Sequence, residues 1–130
     1  MKRDYQGSCH CGAVRFRAAI DLDAGTVRCN CSICAKGRFW LAAVSPDDFE
    51  LLSGEDALST YTFGPHRIAH RFCKTCGVKP FGHSAAAGFY AISVASLDDA
   101  EPEALAAAPV TYVDGRADAF DRPPAVTSYL

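Results

Sequence analysis

The chain has 130 residues, 49% of them apolar, and a formal charge of −2 at pH 7. That is enough for one compact domain over residues 1–130 and too little for two, with no overall basic field to attract a nucleic acid. No apolar stretch reaches the length of a signal sequence or a bilayer span, so a cytoplasmic chain without membrane contact is expected.

In chain order, the first feature is Gly7-Ser8-Cys9-His10-Cys11-Gly12, two thiols one residue apart with a glycine behind them. Ala13 to Ala18 then alternates Val14 and Phe16 against Arg15 and Arg17, the period of a half-buried strand. After a turn at Asp23-Ala24-Gly25 comes a second group, Cys29-Asn30-Cys31-Ser32-Ile33-Cys34, three thiols in six residues. Aromatic or β-branched runs at 39–44, 49–52, 60–63, 68–72 and 89–94 predict further short strands, separated by turn formers such as Ser53-Gly54 and Gly64-Pro65. Ser45-Pro46-Asp47-Asp48 predicts a single helical turn. A third thiol group, Cys73-Lys74-Thr75-Cys76-Gly77, closes the run at 68–72. Glu101 to Ala108 predicts a short helix ended by Pro109, inside a 97–130 segment that otherwise reads as irregular, with a turn at Asp114-Gly115 and a surface tail at Pro123-Pro124. The fold class expected is mainly β, with short antiparallel sheets and at most one or two short helices.

The seven cysteines admit more than one reading. A disulfide scaffold is disfavoured, because the count is odd, no export signal is visible, and thiols one residue apart are badly placed to bridge each other. Metal binding accommodates all of them: a closed zinc site takes four protein ligands, and a reactive one takes three and keeps a position open. The outer pairs, Cys9 and Cys11 with Cys73 and Cys76, make a matched quartet, each pair followed by a glycine that can turn amide hydrogens towards sulfur. Cys29, Cys31 and Cys34 make a trio whose fourth position has no obvious owner. One of His10, His66, His70 or His83 could close it as a second structural site. Iron, as a single ion or as a cluster on the trio, is a further reading, set against by the CxC spacing.

Taken together, Gly7-Ser8-Cys9-His10-Cys11-Gly12-Ala13-Val14, the CxCxxC of Cys29 to Cys34, and Arg71-Phe72-Cys73-Lys74-Thr75-Cys76-Gly77 resemble the glutathione-dependent formaldehyde-activating enzyme (GFA) family, also called the centromere protein V family. The resemblance spans about residues 6–96. It implies an Mss4-like β-rich zinc-binding fold with two Zn2+ per chain: a structural ion on Cys9, Cys11, Cys73 and Cys76, and a catalytic ion on Cys29, Cys31 and Cys34. It also implies a carbon–sulfur lyase-type enzyme acting on adducts between a small thiol such as glutathione and an aldehyde such as formaldehyde. The centromere branch suggests an alternative, a non-enzymatic zinc module in which both metals are structural and a protein partner is bound.

The charge of the trio bears on that choice. Three thiolates around Zn2+ leave a net negative centre, a weaker Lewis acid than zinc on neutral histidines. Such a centre is better suited to holding an incoming thiolate than to making hydroxide. Glutathione carries two carboxylates, for which Lys36, Arg38, Arg67, Arg71 and Lys79 are candidate partners. Arg38 is the first choice for a forked contact because it closely follows the trio. Phe39 and Trp40 are candidate pocket walls, equally readable as core. His70 is a candidate acid, but strand alternation places it opposite the face of Arg67, Arg71 and Cys73.

Overall fold

The alternation at residues 13–18 becomes a strand, β2 (Arg15–Ile20), with Phe16, Ala18 and Ile20 buried and Arg15 turned to solvent. It lies in the middle of a three-stranded antiparallel sheet, between β1 (Arg3–Ser8) and β5 (Phe49–Ser53). The other strands are β3 (Thr26–Cys29), β4 (Leu41–Val44), β6 (Leu58–Tyr61), β7 (Ala69–Cys73), β8 (Phe81–Ser84), β9 (Phe89–Ser93) and β10 (Val110–Val113). They form a seven-stranded sheet in the order β10-β3-β4-β9-β8-β7-β6, antiparallel throughout except for the β10–β3 pair. Two short helices, α1 (Ser32–Gly37) and α2 (Pro102–Ala107), complete this computed structural model, which describes all 130 residues. The expectation of a mainly β chain with two short helices holds.

The larger sheet has two apolar faces with different fates. Because side chains alternate along a strand, Ala42 and Val44 on β4, Phe81 on β8 and Ile92 on β9 point one way, and Leu41, Ala43, Gly82 and Ala91 point the other. The first set enters the core against β2 and β5. There Phe16 stacks on Phe49 at 5.8 Å, Phe49 lies 4.7 Å from Phe81, and Tyr90 stacks on Phe49 at 4.1 Å. The second set is left to line a cavity.

Several elements depart from the expectations. Strands β1, β3, β8 and β10 and helix α1 were not legible as elements, and 97–113 is not irregular: it carries α2 and then β10, which pairs in parallel with β3. A parallel neighbour needs a long crossover and leaves no hairpin signal in the sequence. β1 buries only Tyr5 and Gly7 and is otherwise polar, as an edge strand permits. α1 is too short to show helical periodicity. The helical turn expected at 45–48 is a 3₁₀ turn at Pro46–Asp48.

Candidate metal centres and the adjoining cavity

The quartet is assembled across both sheets. Cys9 follows β1 and Cys11 lies in the turn before β2, whereas Cys73 ends β7 and Cys76 lies in the turn beyond it. The four sulfurs lie within 4.8 Å of one another, with Cys9–Cys11 and Cys11–Cys73 both at 3.6 Å. Tetrahedral zinc with Zn–S bonds of about 2.3 Å separates its sulfurs by about 3.8 Å, so the donor set and spacing fit that ion. Amide hydrogens also converge on the sulfurs: Val14 N–H donates to Cys9 Sγ at 3.3 Å and Thr75 N–H to Cys73 Sγ at 3.4 Å. Both flanking glycines adopt positive φ, 82° at Gly12 and 77° at Gly77, which serves these tight turns. The Cys73 thiol is drawn down by the N–H of Cys76, and that of Cys76 to about 6 by the N–H of Val78 and then of Cys11.

The trio is built from one short segment. Cys29 is the last residue of β3, Cys31 caps α1 in an extended conformation, and Cys34 lies within the helix. Their sulfurs also lie within 4.8 Å of one another, and no histidine belongs to the group. Cys31 N–H donates to Cys29 Sγ at 3.3 Å. Hydrogen bonds from its neighbours, Cys29 first and then Cys34, hold the Cys31 thiol down to about 2, and the same crowding pushes Cys34 far up. Three thiols so close cannot all ionise without a positive partner, which is what a divalent cation provides.

A clamp that sequence reasoning missed holds this segment from behind. Asn30, 4% exposed, donates to Asp114 Oδ1 at 2.9 Å and accepts the N–H of Arg116, also at 2.9 Å. Between those partners lies Gly115, where an added Cβ would fall on Cys29 Sγ and lie 3.0 Å from Cys31 Cβ. The turn expected at Asp114-Gly115 is therefore a support of the trio. The only sequence signals were the turn dipeptide itself and an asparagine between two clustered cysteines.

All three trio cysteines line a cavity of about 490 Å³ on the free face of the larger sheet, whereas no quartet cysteine does. Among the candidate cations, Lys79 and Arg67 border this cavity. Arg38 does not; it is exposed, with a left-handed φ of 51°, and lines a neighbouring cavity of about 230 Å³ with Phe39 and Trp40. The two cavities meet at Lys79. Arg71 is paired with Glu55 at 3.0 Å, and Lys36 is exposed on α1.

The expectation for His70 holds against Arg71 and Cys73 and fails for Arg67. The alternation of β7 does place it opposite Arg71 and Cys73, but the trio lies on the His70 side of the sheet. Arg67 precedes the strand, escapes its alternation and shares the cavity with His70. Lys79 Nζ donates to His70 Nδ1 at 2.8 Å and lies 4.0 Å from the centre of the Phe39 ring. Burial, and then the Lys79 charge, lowers His70 to about 4, and burial lowers Lys79 to about 8 against the pull of Cys34 and Cys31. Near neutral pH the pair is therefore an ammonium donating to a neutral imidazole.

A β fold that presents one group of four thiols joining two sheets and one group of three on a cavity wall defines a class, the small cysteine-rich β protein with two thiol clusters that could each hold a metal ion. Residues 4–114 match the family described as glutathione-dependent formaldehyde-activating enzyme, and the chain belongs to that family. The match runs past residue 96 and takes in β10 and Asp114. A Halomonas elongata protein provisionally named glutathione-dependent formaldehyde-activating enzyme is 58% identical over 31 residues, 24% of this chain. The chain spans about a fifth of the length of that curated relative. A crystal structure of a Rhodobacter sphaeroides protein, a structural-genomics target, superposes with a TM-score of 0.71 at 31% identity, covering 82% of this chain and 99% of the other. No helix is long and apolar enough to cross a membrane.

Proposed function

We propose that the chain is a zinc-dependent carbon–sulfur lyase-type enzyme that makes and breaks the adduct between a small thiol, such as glutathione, and an aldehyde such as formaldehyde. In this reading Cys9, Cys11, Cys73 and Cys76 hold a structural Zn2+, and Cys29, Cys31 and Cys34 hold a catalytic Zn2+ with one position open to substrate. The observation that carries the reading is the placement of the trio, and not the quartet, on the wall of a cavity. Family membership supplies the thiol and aldehyde classes.

Zinc on the trio supplies the positive centre that keeps the substrate sulfur deprotonated near neutral pH. Everything else falls to the chain's own groups. As sulfur bonds to the carbonyl carbon, the π electrons move to oxygen, which takes up a proton; the thiol proton is released. Lys79 borders the cavity and presents N–H bonds to that oxygen as its charge develops, a stabilisation strengthened by low local polarity. His70, accepting one Lys79 hydrogen, fixes where the ammonium points. Arg38 takes a carboxylate of the thiol in the smaller cavity, on the other side of Lys79.

The test is spectroscopic. In protein loaded with two cobalt ions, glutathione is expected to change the ligand-field bands of one ion and leave the other alone. Bands unmoved at saturating glutathione would overturn direct coordination.

A further inference from the structure

We infer that the larger cavity receives the carbon substituent of the aldehyde, so that the substrate class is the adduct of a small thiol with an aldehyde bearing an apolar alkyl or aryl group. The inference rests on the lyase reading of the cysteine trio and deepens it.

The cavity is chemically divided. Lys79 and His70 are in contact with each other, and Lys79 feels the charges of Cys34 and Cys31, so the polar groups gather at the end occupied by the trio. Apart from Arg67 and Ser84, the rest of the wall is carbon, with Val27, Leu41, Ile68, Phe89, Val113 and Phe63 among its members. Its floor is kept low by small residues at consecutive paired positions of the sheet: Ala43 faces Ala91, which faces Gly82. These three stand where larger side chains would fill the space from within.

A formaldehyde adduct brings a single carbon and gives such a wall almost nothing to cover. The charged body of glutathione fits it worse, because its carboxylates and ammonium would lose hydration against hydrocarbon without gaining partners. Those charges have a better destination at the borders, where Arg67 is exposed and where Arg38 lines the smaller cavity. The apolar part of the wall is then left to whatever the aldehyde carbon carries. Phe120, 61% exposed, and Phe63, 38% exposed, also border the cavity and are apolar surface that such an occupant would cover. The bond changes are those of the simple adduct: the C–S bond forms, the carbonyl π bond breaks, the oxygen gains a proton, and nothing is oxidised or reduced.

S-alkylglutathiones are stable mimics that lack only the adduct hydroxyl, and their dissociation constants for the zinc-loaded protein can be measured by titration calorimetry. From methyl to hexyl, the constant is expected to fall about fourfold per methylene, the factor that about 0.8 kcal/mol per buried CH2 gives at room temperature. Ala91→Phe, which raises the floor, should end the gain at a shorter chain while leaving two zinc ions per chain by elemental analysis. A dissociation constant that does not change with chain length in the unmodified protein would overturn the inference. Cobalt bands that respond to glutathione beside such a flat series would sink this inference alone. Bands that do not respond, beside a steep series, would sink the lyase reading and leave the apolar site standing.

Discussion

The quartet and the trio use the same side chain for opposite ends. The quartet gathers its cysteines from two sheets, with Cys9 and Cys73 buried to within 2% exposure and Cys11 exposed, and its geometry joins β1 to β7 across more than sixty intervening residues. The trio draws on six consecutive residues, adds no long-range closure of its own, and leaves Cys31 and Cys34 partly accessible on a cavity. A metal at the first place closes a long loop and ties two layers together. At the second it ties little and faces the cavity. In the proposed reading, sequence separation between the cysteines is what distinguishes a fastening from a reactive centre.

The comparison breaks most visibly at Cys73. Cys73→Ser removes a fully buried thiol from the quartet proposed to hold a structural ion. Structural zinc contributes about 10–16 kcal/mol of apparent binding energy against about 5–15 kcal/mol of net domain stability, so the variant should lose its cooperative thermal transition by circular dichroism. Cys31→Ser should behave differently. It should keep that transition, with zinc content falling from two ions to one and lyase activity lost by a factor on the order of 1000 or more. If Cys31→Ser melts out as completely as Cys73→Ser, both ions are fastenings and the alternative of a non-enzymatic module takes over.

How far this contrast was legible beforehand varies by element. The partition into quartet and trio follows from spacing and flanking glycines, and the structure brings together the same seven cysteines in the same two groups. β2 was legible from its alternation, and β7 and β9 as aromatic or β-branched runs. β8 was not, because Phe-Gly-His-Ser carries a glycine and a histidine through the middle of a sheet, where ordinary propensity argues against a strand. The cavity was invisible for a related reason. Alternation tells which residues share a face but not which face meets the core, so His70 was correctly placed opposite Arg71 and Cys73, while nothing said that its face carries the trio or that Arg67 joins it there. The Asn30–Asp114 clamp joins positions far apart in the chain that no local pattern links.

Gly115 sharpens the comparison without removing a ligand. Its φ lies outside the left-handed region, so alanine costs the backbone little there; the added carbon instead lands on Cys29 Sγ. Gly115→Ala should displace the trio and lower zinc affinity at that place by about 10- to 100-fold, the usual scale for damage to the support of a ligand. The quartet ion and the thermal transition should be unchanged. Competition with a chromophoric chelator would resolve the two ions, and equal weakening of both would show that the Asp114–Arg116 turn supports the whole fold.

The smallest expected effect concerns His70, on the trio's side of the sheet. Burial and then the Lys79 charge hold its folded pKa to about 4, below the unfolded value of about 6.5. Between those values the unfolded chain binds the extra proton, so stability rises with pH across the window. The full contribution is present above about 6.5 and is lost as pH falls towards 4. His70→Gln keeps an acceptor for Lys79 but cannot titrate. Its denaturant midpoint should therefore gain on the parent as pH drops from 7 to 5, whatever acid does to zinc in both proteins. A difference between the two proteins that stays constant over that range would mean that His70 titrates normally.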